Sequence, residues 1–318
     1  MGAPIGSREK ALGLNLETTN GTFAAPAAPL NAVILEADGG PSELLPEQVT
    51  PALNLTGTRP RVVGMEMATL SFRWAIASAD DFLSVLLPAL GYLSDGGAPA
   101  TFEPMADTSA IKTLSAKLWE GGKVKQFTGM APTSFSLSPE RPGGRVIADV
   151  ELAGVWNGNV DEATPSATHS SRNFYQAKGV TLNVGGAWAG GKVSNFDLNF
   201  NPAAESREDI VAASGILSDI ITDRLPQLTI DPEKTLVATA DELGLLLAGT
   251  TASGSLALSD QAGSATTLTI SFGELQRISA EPGVRGQKQI ETLTFECHQS
   301  TNADGNSGVG DDVTFNEA

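Results

Sequence analysis

Between Met65 and Ile76 the chain alternates cleanly, with Leu70, Phe72, Trp74 and Ile76 on one parity and Thr69, Ser71 and Arg73 on the other. Period two with one apolar face predicts a β-strand that is wet on one side. Downstream, Phe82, Val85, Leu86, Leu87 and Leu90 form an apolar stripe at helical spacing. Asp80 and Asp81 fall in its first turn, where carboxylates suit the helix dipole. This short helix is expected to cover the strand's apolar face. Ala32–Glu36 predicts a further strand. Ile111–Met130 predicts a hairpin turning at Glu120-Gly121-Gly122-Lys123, and Phe135–Leu152 a second one turning on a Pro/Gly/Arg cluster.

The pattern then recurs. In Ile220–Ala248 an alternating strand again leads into a short apolar helix: Leu228-Thr229-Ile230 matches Leu70-Ser71-Phe72, and Ala240-Asp241-Glu242-Leu243 matches Ala79-Asp80-Asp81-Phe82. Leu53-Asn54-Leu55 precedes the first copy as Leu198-Asn199-Phe200 precedes the second. Arg277–Phe295 repeats the hairpin of Phe135–Leu152, and Leu293, Phe295 and Cys297 alternate with Thr292, Thr294 and Glu296. A further hairpin, Gly179–Phe200, is expected to open the second copy. Four elements in one order predict a duplicated unit.

The boundaries follow. Residues 1–30 read as an extended arm, because Pro26 and Pro29 interrupt any helix. Residues 31–156 form a first module, 157–173 a polar linker, 174–300 a second module, and 301–318 a flexible acidic tail. The fold class expected is mainly β with short α-helices, in two tandem modules. Ala37–Gln48 reads as a loop, given the turn chemistry of Asp38-Gly39-Gly40-Pro41. Its apolar pair, Leu44 and Leu45, either meets a partner or folds back on its own domain.

Composition narrows the function. The 318 residues carry a net charge of −17, with a pI near 4.4. That argues against a protein that grips phosphate, yet allows one that lets nucleic acid pass. The 34 glycines and 18 prolines suit a turn-rich β architecture. Cys297 is the single cysteine, so no intrachain disulfide forms. No stretch is long and apolar enough to span a bilayer, and the N-terminus lacks a signal-type apolar core, so a soluble product made in the cytoplasm is expected.

Catalytic and metal motifs fail one by one. His169 and His298 have no carboxylate or cysteine at zinc-ligand spacing. No strand–Ser–helix elbow supports a triad, and no phosphate-binding loop is present. Asn302, Asp304 and Asn306 resemble a calcium loop, but Ser307 stands where its glycine belongs. Asn20 and Asn54 begin glycosylation sequons with no secretion signal to support their use. No enzyme activity, cofactor or metal is expected.

Two phrases carry a family resemblance. Glu17-Thr18-Thr19-Asn20-Gly21-Thr22, followed by an Ala/Pro run, resembles the opening of tail tube (major tail) proteins of long-tailed, non-contractile bacteriophages. Ser206–Glu233, which contains Ile221-Thr222-Asp223-Arg224-Leu225-Pro226, resembles the second-half signature of the same family. The resemblance implies a β-sandwich or rolled-sheet module with a flanking helix, joined edge to edge around a central channel. For two modules per chain it implies homotrimeric, pseudo-hexameric rings stacked into a tube in the virion tail. DNA would pass through without specific binding. Tape measure, tail terminator and tail-tip proteins would be the partners, with no membrane. On this reading Asp149, Glu151, Asp197 and Glu296 are candidate lumen-facing residues, and Leu44 and Leu45 are candidate inter-ring contacts. A tube of a contractile tail or secretion apparatus, and a capsid decoration or surface-binding β protein, are the alternatives.

Overall fold

The computed structural model describes residues 10–47, 62–78, 81–96, 100–105, 108–165, 173–185, 192–237, 241–260, 266–299 and 312–318. The chain is mainly β, with two short helical segments of note. It begins with β1 (Lys10–Leu16), β2 (Val33–Glu47) and β3 (Val62–Ala75). A π-helical turn, Phe82–Leu86, runs into α1 (Leu87–Ala89). Then come β4 (Tyr92–Ser94), β5 (Thr101–Pro104), β6 (Leu114–Glu120), β7 (Lys123–Pro139) and β8 (Val146–Asp161). The second half holds β9 (Tyr175–Asn183), β10 (Val193–Asn199), β11 (Pro202–Glu208), β12 (Ile216–Arg224) and β13 (Gln227–Pro232). After α2 (Glu242–Leu247) follow β14 (Thr251–Asp260), β15 (Thr267–Arg285), β16 (Lys288–His298) and β17 (Val313–Glu317).

Two antiparallel paths organise the sheet. The first runs β1–β6–β7–β8–β3–β2. The second runs β9–β14–β15–β16–β13–β10. They meet where β10 pairs with β7, Leu198 opposite Leu137 and Asn199 opposite Ser136. β17 lies beside β15 and carries β5 and β4 with it, while β11 and β12 form a separate two-stranded sheet. Strands β7 and β15 are long because each serves two neighbourhoods. The early part of β7 pairs with β6 and its late part with β10.

The bend in β7 has a local cause. Gly129 has φ +59°, and a Cβ there would lie 2.7 Å from the Ser218 Cα. The register slips between Thr128 and Ala131, which is where a bulge re-aims a strand. β12 packs into the space that this glycine leaves.

The alternation read from the sequence sets the core. Leu70, Phe72, Trp74 and Ile76 are buried, whereas Ser71 and Arg73 are exposed. Phe82, Leu86, Leu87 and Leu90 are buried over them, each contributing about 1.5–3 kcal/mol of apolar burial. The hairpins β6–β7, β7–β8 and β15–β16 form as expected.

Several expectations need correction. Residues 37–47 are strand, not loop: β2 pairs with β3 along its length, with bulges at Ile34/Glu36, Pro41/Glu43 and Leu44/Pro46. An edge strand tolerates the Gly, Pro and bulges that suggested a turn. Part of the expected N-terminal arm is β1, whose Leu12 and Leu14 are buried. The expected linker begins inside β8, where Asn159 and Asp161 pair with Lys125 and Lys123. The hairpin expected to open the second half does not form, because β9 pairs with β14 and β10 with β13. The tail is not wholly loose, since β17 buries Val313 and Phe315. The alternating run from Ile220 is two strands, broken between Arg224 and Gln227 at Leu225-Pro226. Finally, α2 buries none of its residues, unlike the first helical segment. Leu53–Leu55, Asp80, His169 and the Asn302–Asn306 stretch lie outside the described residues.

Candidate functional site

Residues directly opposite one another in paired strands share a face. Register therefore traces one polar surface across β2, β3, β8, β7, β10, β13, β16 and β15. Arg73 lies between Glu36 and Asp149, and Ser71 between Asp38 and Glu151. Asp149 and Glu151 face Ser136 and Ser134, and Ser136 faces Asn199 across the β7–β10 joint. Asp197 faces Thr229, Thr229 faces Thr294, and Gln227 faces Glu296. The opposite face of the same strands carries Leu137, Val150, Leu152, Phe196, Leu198, Leu228, Ile230, Leu293 and Phe295, all buried.

The four carboxylates singled out from the sequence thus sit on one continuous surface. Asp149 accepts from Arg73 Nε at 2.7 Å, an exposed pair worth little to stability. Glu296 Oε1 stands 3.6 Å from His298 Nε2. Asp197 is half-buried and its pKa is raised, first by burial and then by the negative charge of Asp149. A carboxylate with a raised folded pKa contributes stability below its unfolded pKa and loses it as pH rises through the folded value. Asp197→Asn is therefore expected to raise the melting temperature at pH 7. The gain should shrink to nothing as pH falls below about 4, near the unfolded Asp pKa. Thermal melts of both proteins across that range check this; an equal offset at every pH would mean that the charge is not the cause.

Sequence reading missed Glu36, Asp38 and Asp231 as members of this face. For Asp231 the signal was present, since it continues the Gln227, Thr229 parity. Its burial raises the pKa, but hydrogen bonds from Ser194 and the Asn195 N–H, with the Arg285 charge, outweigh that and leave the pKa lowered. The charged side chains of the face are mostly acidic, set against Arg73, Arg285 and Lys288.

Other surfaces carry apolar groups. Leu44 lies in β2 opposite Glu66, so the pair Leu44 and Leu45 belongs to a strand. The turn between β11 and β12 exposes Ile210 fully and Val211 nearly so. A second exposed set is Leu236, Val237, Leu243 and Leu247, before and within α2. An apolar cleft of about 770 Å³ lies beside the first helical segment, lined by residues including Leu16, Pro88, Leu93, Phe102 and Met105. Its polar rim is engaged locally: Asp95 accepts from the Thr101 N–H, and Lys112 donates to the Thr18 carbonyl.

Cys297 is buried, and burial, then Asp312 and Glu296, push its thiol pKa up, so it is a poor nucleophile. Among the described residues no cluster of three His, Cys, Asp or Glu side chains is placed to hold a metal ion, and no helix is long and apolar enough to cross a membrane. No protein-family model matches the chain, and no curated protein matches it.

Proposed function

We propose that this chain is a structural, non-catalytic subunit of a tube, the tail tube protein of a long-tailed, non-contractile phage. Two fused copies of one module supply neighbouring arcs of the wall, and three chains close a pseudo-six-fold ring around a DNA channel. The observation that carries the reading is the repeated strand order, β1–β6–β7–β8–β3–β2 followed by β9–β14–β15–β16–β13–β10. The internal joint, β7 to β10, links the late part of one module's long strand to the short strand at the other's end. The same joint repeated between chains would be head-to-tail, and such contacts close into rings when the rotation allows. Among the described strands, β2 and the late part of β15 each leave one edge unpaired.

The polar face supports a channel wall. DNA binds basic surfaces through counterion release, so an acidic lining lets it slide. That position 197 carries a half-buried carboxyl group beside Asp149, where a negative charge is disfavoured, fits a surface selected for polarity more than for stability. Tape measure, terminator and tip proteins are the partners this role requires, and the virion tail is its place.

Negative-stain microscopy of the concentrated full-length chain is expected to show rings or tubes, and a monodisperse monomer under all conditions would end the proposal. Orientation has its own test. Glu151→Cys introduces an exposed thiol on the polar face, while buried Cys297 stays silent. A small maleimide should label it in monomer and tube alike. A bulky polymer-maleimide should label the tube at least about tenfold more slowly, as expected for a group sealed from bulk. Equal labelling by both reagents would put the acidic face outside.

A further inference from the structure

The two helical segments carry matched sequences but meet different surroundings. Phe82 and Leu86 correspond to Leu243 and Leu247 through the Ala-Asp-Asp/Glu phrases that precede them. Phe82 and Leu86 are 0% exposed, whereas Leu243 is 60% and Leu247 79% exposed. The difference lies in what covers them. Phe82 packs on Phe135 of β7, with centroids 6.0 Å apart, and on Phe315 of β17 at 6.4 Å. Phe200, which follows β10, closes the same cluster at 4.9 Å from Phe135. The cover on Phe82 therefore comes from both halves: Trp74, at 5.9 Å, and Phe135 from the first, Phe315 from the last strand, with Phe200 behind Phe135 at the β7–β10 joint.

α2 packs against β15. Arg277, buried in β15, holds it by donating to the Glu242 carbonyl at 2.6 Å and pairing with the Glu242 carboxylate at 2.5 Å. β14 and β17 flank β15 only as far as Gln276 and Phe272. Beyond Arg277 no described strand pairs with the edge of β15 that faces away from β16. α2 is thus in position, anchored, and uncovered.

Resting on the tube reading, we infer that the α2 face formed by Leu243 and Leu247 is the seat for the β2 end of a second copy of this chain. Register places the contact. The row Phe72–Val150–Phe135 corresponds to Ile230–Leu293–Ala280, so Leu137 and Ser136 correspond to Pro282 and Glu281. Likewise Leu198, Asn199 and Phe200 correspond to Gly39, Gly40 and Pro41 rather than to Leu53-Asn54-Leu55 as the sequence order suggests, because Leu198 faces Leu228 as Gly39 faces Leu70. In the internal joint Phe200 donates its N–H to Phe135 at 3.0 Å. Pro41 has no N–H to donate, and neither has Pro282. Two prolines blunt the free edges against indiscriminate strand pairing. The joint between copies consequently leans on side-chain burial over α2 more than on main-chain hydrogen bonds.

The test uses the full chain in two variants. Leu243→Asp/Leu247→Asp changes exposed residues, so its melting temperature should stay within about 2–3 °C of wild type. Assembly should need at least about 100-fold more protein, because closing the joint would bury two unpaired charges. Gly40→Cys/Glu281→Cys places thiols at the predicted contact, and a side chain at Gly40 meets open space. Oxidation of the assembled protein should give a ladder of covalent dimers and trimers, absent when the Asp changes are added. If wild type assembles and the Asp variant assembles equally well, or the thiols never join, the seat is elsewhere although the tube reading stands. If wild type never assembles, both fall.

Discussion

Replacing Glu17 by alanine is expected to lower the unfolding free energy by about 3–5 kcal/mol, read from denaturant midpoints at constant m-value. Glu17 is 1% exposed and is held by donors rather than by a cation. Its Oε1 accepts from Ser115 at 2.6 Å, Thr128 at 2.9 Å and the Gly129 N–H at 2.8 Å. Its Oε2 accepts from the Gly21 N–H at 2.6 Å and Thr113 at 2.5 Å. Alanine strands two backbone donors and three hydroxyls in the interior, each needing a partner it cannot replace with bulk water. Glu17→Gln preserves the volume but turns an NH2 toward donors whichever way the amide sits, so about 2–3 kcal/mol should still be lost. A loss below 1 kcal/mol for alanine would show that other groups satisfy the network. The same carboxylate explains the local path of the chain. Gly21 turns at φ +81°, and a Cβ there would lie 2.5 Å from the Leu217 carbonyl, so the Glu-Thr-x-x-Gly-Thr phrase wraps tightly between β6, β7 and β12.

Phe315→Ala is expected to cost a similar amount, about 3–5 kcal/mol, from lost transfer energy and the cavity left behind. The ring sits 5.5 Å from Tyr92, 5.9 Å from Phe200 and 6.4 Å from Phe82, so one substitution loosens contacts to three separated parts of the chain. Nearby, Arg224 lies 4.2 Å from the Tyr92 ring centroid, donates to the Leu90 and Gly91 carbonyls, and pairs with Asp312. Truncation after Asp312 should therefore be at least as damaging, since it also removes β17 from between β15 and β5. Calorimetry of the full chain, the point variant and the truncation checks this. A truncation that melts with wild type would show that the C-terminal strand is ornamental to the fold.

What could be read from the chain alone was whatever depends on neighbours in sequence. Alternation identified β3 and its buried face, the apolar stripe located the first helical segment, and turn chemistry located the hairpins at Glu120–Lys123 and before Val146. The same local logic misread 37–47, because Asp38-Gly39-Gly40-Pro41 is turn chemistry in isolation and tolerable edge-strand chemistry once β3 lies alongside. It split β9 from its partner for a related reason: sequence proximity suggests a hairpin, while β14 lies some seventy residues further on. Asp149, Glu151, Asp197 and Glu296 were legible as polar strand positions one by one. Their union into a single face was not, because it depends on the β7–β10 joint.

The amino-acid order by itself determined β3 with its wet and dry sides, the first helical segment, the hairpins β6–β7, β7–β8 and β15–β16, and the acidic balance, since each rests on periodicity, turn chemistry or composition. Only the tertiary structure decided that Glu17 is a buried hub, that the last strand completes the aromatic core, and that the helical segment after β3 is covered while α2 is bare. Those outcomes depend on which distant segments meet, and long-range contacts leave no periodic trace along the chain.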